Sequence, residues 1–185
     1  MRQLFTGAIL AASFTAATVI TSAQAQEIPL PAGSLKGFDG IIAECIVQTP
    51  DAFATGICKM LFAAAAKQAD RAGVKLVQAG SQVWEDVKVE DRVHLEPPAG
   101  SDLASPVRLT FFVRGAHTNS ITGGYTRIAL WTPAEIQGRS GKLVLWETAT
   151  MGTGPRNGLR AALVKTVVGK LETPFTALVA DNKAE

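Results

Sequence analysis

One short stretch constrains this fold more than any other. The stretch "ECIVQTPDAFATGIC", Glu44–Cys58, contains both cysteines of the 185-residue chain. Its start belongs to an alternating pattern that is typical of a strand with one buried face, formed by Ile41, Ala43, Cys45 and Val47. Thr49-Pro50-Asp51 then offers a hydroxyl N-cap, a proline at the first helical position and an acid in the first turn. The stretch therefore predicts a strand, a turn and a helix that meet at a corner.

The two cysteines are predicted to form a disulfide across this corner. Cys58 lies nine residues beyond the Thr49 cap, which is about 13 Å along a helix that rises 1.5 Å per residue. Cys45 lies four residues before it, about 13 Å back along a strand. The two sulfurs should therefore lie at the same height. Their spacing fits neither a zinc site nor a Cys-x-x-Cys redox pair. Two buried free thiols are the remaining alternative.

The N-terminus has the three-part pattern of a secretory signal peptide. Arg2 precedes a moderately apolar stretch over residues 4–20, and Ala23–Ala25 is a small-residue cleavage site. We therefore predict that residues 1–25 are removed and that the mature chain, which begins at Gln26, is periplasmic or secreted. A membrane-spanning helix is the alternative. It is disfavoured because glycine, serine and threonine dilute the apolar stretch and no basic cluster follows it.

The rest of the chain predicts one domain with a short leading arm. Residues 26–37 are rich in proline and glycine and predict an extended N-terminal arm, followed by a single domain over 38–185. Arg2 is the only charge in the signal segment, so the mature chain has 17 of the 18 basic residues against 16 acidic ones. So even a balance gives no reason to expect nucleic acid as a partner. No stable membrane span is expected after signal removal.

The hydrophobic pattern predicts a sheet covered by two helices. Strands are predicted within 83–95, at "VRLTFFVRG", at "YTRIALW" and at "KLVLWETATMG", with "TPAEIQGRSG" as a long hairpin connection. Apolar residues at helical spacing predict helices over about 50–72 and 155–182, the second bent at Pro174. The prediction is a two-layer α+β fold with a mostly antiparallel sheet of five or six strands and both helices on one face.

A glycine-rich turn, "GTGPRNGLR", is one candidate site. It joins a predicted strand to a predicted helix and contains Gly152, Gly154, Arg156 and Arg160. Backbone amides at a helix start and two guanidinium groups can hold a carboxylate or phosphate, so a small anion is a candidate ligand. The turn is neither a Walker loop nor a dinucleotide fingerprint. Its glycine and proline are equally well explained as residues that begin a helix.

The outward face of the predicted sheet is the other candidate site. If Leu109, Phe111 and Val113 face the helices, alternate residues of this strand and its neighbours face away: Phe112, Arg114, Arg127, Trp131 and Trp146. Aromatic residues and arginine are enriched at the centres of protein interfaces. The pattern predicts contact with a protein partner or with a second copy of the chain as a homodimer. The alternative is that the N-terminal arm or a loop covers these side chains.

No catalytic residue, metal site or cofactor is predicted. The two histidines, His94 and His117, lack the spacing of a metal site, and no nucleophile elbow is present. The sequence therefore favours a non-enzymatic binding or accessory protein of the cell envelope. The alternative is a protein that binds, or acts as an enzyme on, a small anionic ligand at the turn over residues 152–160.

Overall fold

The computed structural model describes residues 23–24, 27–86, 98–117 and 122–183. Within these ranges the strands are β1 (Ala23–Gln24), β2 (Gly40–Val47), β3 (Leu76–Val83), β4 (Pro106–His117), β5 (Thr122–Ile136) and β6 (Arg139–Gly154). The helices are α1 (Ala52–Ala72), α2 (Arg156–Val168) and α3 (Glu172–Asp181), and a short 3-10 helix, Trp84–Asp86, follows β3. The predicted strand region over residues 83–95 lies mostly outside the described residues.

The strands form one mixed sheet in the order β1-β6-β5-β4-β2-β3. Strand β2 runs parallel to both of its neighbours, β3 and β4, whereas the β4–β5, β5–β6 and β1–β6 pairs are antiparallel. The predicted α+β fold is confirmed, but the sheet is mixed rather than purely antiparallel. Strands β2 and β3 are parallel because helix α1 connects them, and a helical crossover returns the chain to the same end of the sheet.

All three helices lie on one face of the sheet, where the main core forms. Helix α1 contacts β2, β3 and β4, and α2 contacts β5 and β6. Leu109, Phe111 and Val113 of β4 point into this core and are fully buried, as the alternation predicts. Two glycines bring the helices close to the sheet: a Cβ on Gly124 would lie 2.5 Å from Leu163 of α2, and a Cβ on Gly115 would lie 3.1 Å from Phe53 of α1.

Helix α1 begins two residues later than predicted, because Asp51 rather than Thr49 is its N-cap. Oδ1 of Asp51 accepts hydrogen bonds from the backbone amides of Phe53 and Ala54, both at 2.7 Å. A carboxylate at this position satisfies two free amides and also opposes the positive end of the helix dipole. The helix ends at Gly73, which has the left-handed conformation, φ 69°, that often terminates helices.

The C-terminal helical region is divided, but not at the predicted residue. Helix α2 ends at Val168 and α3 begins at Glu172, so the break falls at residues 169–171. Pro174 lies in the first turn of α3, where the amide that proline lacks would have no partner within the helix.

The connection predicted over residues 132–141 is mostly strand. Strands β5 and β6 continue to pair up to Ile136 and Arg139, and only Gln137 and Gly138 form the turn. Both turn residues have positive φ, 53° and 70°, as tight two-residue hairpins require.

The described part of the N-terminal arm lies along one edge of the sheet and then against the helices. Ile28 forms an isolated antiparallel bridge with Glu147 of β6. The chain then turns, and the backbone amides of Gly33 and Leu35 donate to the carboxylate of Asp181 at the end of α3, both at 2.9 Å. Leu35 is fully buried in the core. From Glu27 onward, the arm therefore packs on the helical side rather than over the opposite sheet face.

Candidate functional site

The predicted disulfide is confirmed. Cys45 of β2 and Cys58 of α1 are bonded, with their Cα atoms 5.9 Å apart. Both residues are almost completely buried. Their equal height follows from strand and helix running in opposite directions from one turn, although the helix starts at Asp51. The bond therefore joins the first helix to the middle of the sheet and has no exposed sulfur for chemistry.

The four predicted ligands of the glycine-rich turn lie at the end of one strand and along the helix that follows it. Gly152 and Gly154 belong to the end of β6, and Pro155 caps α2 without a side-chain hydrogen bond. Arg156 is exposed, whereas the Arg160 guanidinium rests against α1, so close that a Cβ on Gly56 would lie 2.6 Å from its Nη1. The cavity next to the turn, of about 480 Å³, is lined by Gly152 but by neither Arg156 nor Arg160. That cavity therefore does not bring the four residues together.

The sheet face opposite the helices carries the aromatic cluster that the alternation predicts. We define the aromatic face as Trp84, Phe112, Tyr125, Trp131 and Met151. The rings of Trp84 and Phe112 meet edge to face with centroids 5.7 Å apart, and those of Phe112 and Tyr125 are 6.4 Å apart. Met151 is 49% exposed and Trp84 is 37% exposed. Trp84, Phe112, Tyr125 and Met151 thus form the partly exposed part of the aromatic face.

Trp146 does not belong to this face, contrary to the sequence expectation. It is fully buried in the core beside Leu130. Its backbone pairs with Leu130, whereas Val144 pairs with Trp131, so β6 has one extra residue at this point. Such a β-bulge reverses the alternation of the strand. Trp146 is therefore turned toward the helices. The reversal can be recognised only from the pairing of β6 with β5.

Trp131 lies on the predicted face but at its buried end. Only 2% of it is exposed. Its Nε1 donates to Oγ1 of Thr110 at 2.8 Å, and Nζ of Lys142 lies 3.9 Å from the ring centroid, a cation–π contact. Trp131 is therefore a buried member of the aromatic face and offers little surface to a partner.

A buried carboxylate completes this hydrogen-bond chain. Thr110 donates to Oε1 of Glu44 at 2.5 Å, and Glu44 is 1% exposed. Its other oxygen, Oε2, has no hydrogen-bond partner among the described residues. Burial lowers the pKa of the nearby Arg108, while the charge of Glu44 opposes that change. Three adjacent strands are thus cross-linked by polar groups beneath the aromatic face.

Charged residues surround the exposed end of the face. Arg127 forms an ion pair with Glu147 of the neighbouring strand, whereas Arg114 is exposed at the far end of β4. Burial raises the pKa of Tyr125 above its ordinary value, because the phenolate form loses solvation there. The phenol of Tyr125 is therefore neutral at physiological pH and presents a hydroxyl beside the cation of Arg114.

Two depressions flank Phe112 on this side. One, of about 250 Å³, is bordered by Trp84, Phe112 and Trp131. The other, of about 480 Å³, is a trough between Tyr125 and Met151. Gly123 adds no side chain on this side, and the backbones of Gly115, Gly124 and Gly152 form the floor, since a Cβ on Gly115 or Gly124 would point at the helices. Both depressions are lined mainly by apolar groups.

Sequence reasoning missed several residues of the face and one polar cluster. Tyr125 lies opposite Arg114 and Met151 opposite Tyr125, so a correct strand register would have identified both. His117 contacts Asp51 through Nε2 at 2.6 Å and Thr122 through Nδ1 at 3.3 Å. Because Asp51 is the α1 cap and Thr122 is buried, this cluster fixes the end of β4 to the helix.

In the described part of the chain, no three His, Cys, Asp or Glu side chains are grouped as a metal site would require. None of the helices described above is long and apolar enough to cross a membrane. His94 lies outside the described residues.

Comparisons with known proteins identify no family. No family model matches the chain, and no curated protein is significantly similar to it. Solved structures with some similarity include a PelC dodecamer from Paraburkholderia phytofirmans, at 13% identity and a TM-score of 0.44 over 84% of this chain and 98% of the other. A dodecamer of a PelC point variant gives 15% identity and the same TM-score over 84% and 97%.

Proposed function

We propose that the protein is a small exported accessory protein of the cell envelope that binds a protein partner through its aromatic face and is not an enzyme. The observation that carries the proposal is the partly exposed run of Trp84, Phe112, Tyr125 and Met151 beside a trough of about 480 Å³. Contiguous exposed apolar surface on a small protein commonly marks a contact site.

The composition of the face supports a protein partner. Large, stiff aromatic side chains and arginine contribute most of the binding energy in many interfaces. Here the rings hold each other edge to face, so little side-chain freedom remains to be lost on binding. The exposed guanidinium of Arg114 favours a partner that places a carboxylate next to an apolar side chain.

The disulfide supports export. A buried bond between Cys45 and Cys58 is stable in an oxidising compartment and rare in the cytosol of most organisms. The N-terminal pattern points to the same compartment, with cleavage after Ala25.

Photo-cross-linking in the envelope tests the proposal. A benzoylphenylalanine at Tyr125 should give a discrete protein adduct, whereas the same group at Met60, an exposed apolar position on α1, should not. Met151→Ser should reduce the Tyr125 adduct several-fold, because it removes apolar contact area at the interface. Met60→Ser is the matched control.

Two results would contradict the proposal. One is an equal yield of adducts from Tyr125 and Met60, since contact would then be nonspecific. The other is an adduct at Tyr125 that Met151→Ser leaves unchanged while the variant protein remains folded.

A further inference from the structure

We propose that the outer edge of β6, over residues 150–154, pairs with the same edge of a second copy of this chain once cleavage after Ala25 has removed β1. The inference rests on the proposed export and processing. It deepens the proposed function by adding a second contact next to the aromatic face.

The N-terminal segment itself shows that this edge accepts a strand. Ala23 pairs with Met151 and Gln24 pairs with Thr150, in antiparallel register. Further along the same edge, Ile28 pairs with Glu147. The proposed cleavage site falls between these two contacts. Processing therefore frees Thr150 and Met151, the two residues that pair with β1, so that the edge is open over residues 150–154, and it leaves the bridge at Glu147 in place.

The edge over residues 150–154 carries none of the residues that commonly protect a sheet edge from pairing. Sheet edges are commonly protected by charged side chains, especially lysine, or by proline. The uncovered stretch reads "TMGTG" and contains neither a charge nor a proline. Once β1 is removed, the backbone groups of this edge that paired with it have lost that partner. Another strand can form hydrogen bonds with these groups in the antiparallel arrangement that β1 adopts.

The two ends of the stretch leave room for the same short stretch of a second copy. Pro155 follows Gly154 directly, so strand pairing ends there, and the bridge from Ile28 blocks the edge at Glu147. Two such stretches can pair antiparallel about Gly152, with Met151 of one copy opposite Thr153 of the other. With no charges in the stretch, no like charges meet across the two-fold axis, as a self-complementary interface requires.

This arrangement also joins the two aromatic faces. Met151 and Thr153 both line the trough of about 480 Å³, and Met151 is 49% exposed in the single chain. Because a two-fold axis perpendicular to the sheet keeps equivalent faces on the same side, the two troughs become neighbours. The pairing thus buries part of the apolar surface that the single chain exposes.

Sedimentation velocity over a range of concentrations tests the inference with four proteins. The first is the chain from Gln26, and the second begins at Thr21 and so retains β1 with five added uncharged residues. The third is Thr153→Lys in the chain from Gln26. The fourth is Ser140→Lys in the same chain, which adds the same charge at the exposed hairpin tip. We expect the first and fourth to dimerise.

The extended chain and Thr153→Lys should each weaken dimerisation about tenfold or more. The extension acts through an intramolecular strand at high effective concentration, and the lysine places like charges close to each other across the axis. Amide hydrogen exchange should show protection of residues 150–154 that increases with protein concentration in the chain from Gln26.

Other results would overturn the inference. A chain from Gln26 that stays monomeric at every concentration excludes it. Equal dimerisation with and without residues 21–25 excludes the β6 edge as the contact. Neither result affects the cross-link expected from Tyr125, so the inference and the proposed function can fail separately.

Discussion

At the scale of single residues, Asp51 shows how one carboxylate can do two structural tasks. Its Oδ1 caps α1, while Oδ2 contacts His117 at the end of β4. Burial alone would raise the pKa of Asp51. The hydrogen bonds from Ala54, His117 and Phe53 outweigh that effect, so the pKa is lowered. The charged form of Asp51 therefore stabilises the folded state.

Asp51→Asn should weaken the acid dependence of stability. Because the folded-state pKa of Asp51 is lowered, its contribution is present above the unfolded-state pKa, near 3.8, and is lost as pH falls through the folded-state value. The asparagine keeps a cap acceptor but no charge. Urea unfolding between neutral pH and about pH 2 should show a smaller loss of stability in the variant than in the parent.

The matched control for this prediction is Asp70→Asn, which removes a carboxylate on the exposed side of α1. It should leave the acid dependence close to that of the parent. An unchanged pH profile in Asp51→Asn would show that the cap carboxylate is not stabilised by its charge.

The buried carboxylate of Glu44 illustrates what residue patterns do not reveal. The alternation of β2 correctly places Glu44 opposite the helices. It does not show that Thr110 and Trp131, from two other strands, arrange a hydrogen-bond chain around it. That chain depends on strand register, which is set by the whole sheet.

At the scale of elements, the close approach of helices and sheet depends on glycine rather than on complementary large side chains. Gly115 and Gly124 are neighbours across β4 and β5. Phe53 and Leu163 pack over them from α1 and α2. This contact fixes both helices at the same end of the sheet as the trough, whose floor is formed by the other side of the same glycines.

Gly124→Ala should destabilise the protein by about 1–3 kcal/mol. The added Cβ would lie 2.5 Å from Leu163 and 3.1 Å from Phe53, so the Leu163 side chain must move or α2 must shift away from the sheet. Gly123→Ala is the natural control, because its nearest neighbour to an added Cβ is a carbonyl 3.9 Å away. Thermal or urea unfolding of the two variants measures the difference. Equal stability of both would contradict the packing described above.

Elements were predictable where one periodicity continues along the chain. Helix α1 and the inward residues of β4 followed from spacing alone. The prediction for Trp146 was wrong because a bulge in β6 reverses the alternation. The predicted bend at Pro174 was wrong because proline fits the first turn of α3, and the helical region breaks after Val168 instead. The aromatic face was found in part, through Phe112 and Trp131, and its exposed members depended on pairing between distant strands.

At the scale of the whole molecule, the disulfide links helix α1 covalently to a central strand of the sheet. Cys45 lies in β2, which pairs with both β3 and β4, and Cys58 anchors the longest helix to it. The bond therefore restricts the unfolded chain where the sheet is parallel, and parallel pairing is slightly less stable per residue than antiparallel pairing.

Replacing both cysteines with alanine should reduce the free energy of unfolding by about 3 kcal/mol, since a short loop is no longer closed in the unfolded state. Dithiothreitol should lower the melting temperature of the parent to about that of the double variant and leave the variant unchanged. A parent that is insensitive to reduction under unfolding conditions would contradict a stabilising role for the bond.

The contact between the N-terminal arm and the end of α3 has a consequence for how the chain is made. Gly33 bonds to Asp181 across 148 residues, and Gly37 bonds to Asn182 across 145. Leu35, between them, reaches its buried place only when α3 is present. The arm therefore cannot take its native place until α3 has been synthesised. Until then the N-terminal arm stays undocked while residues 38–180 are being made.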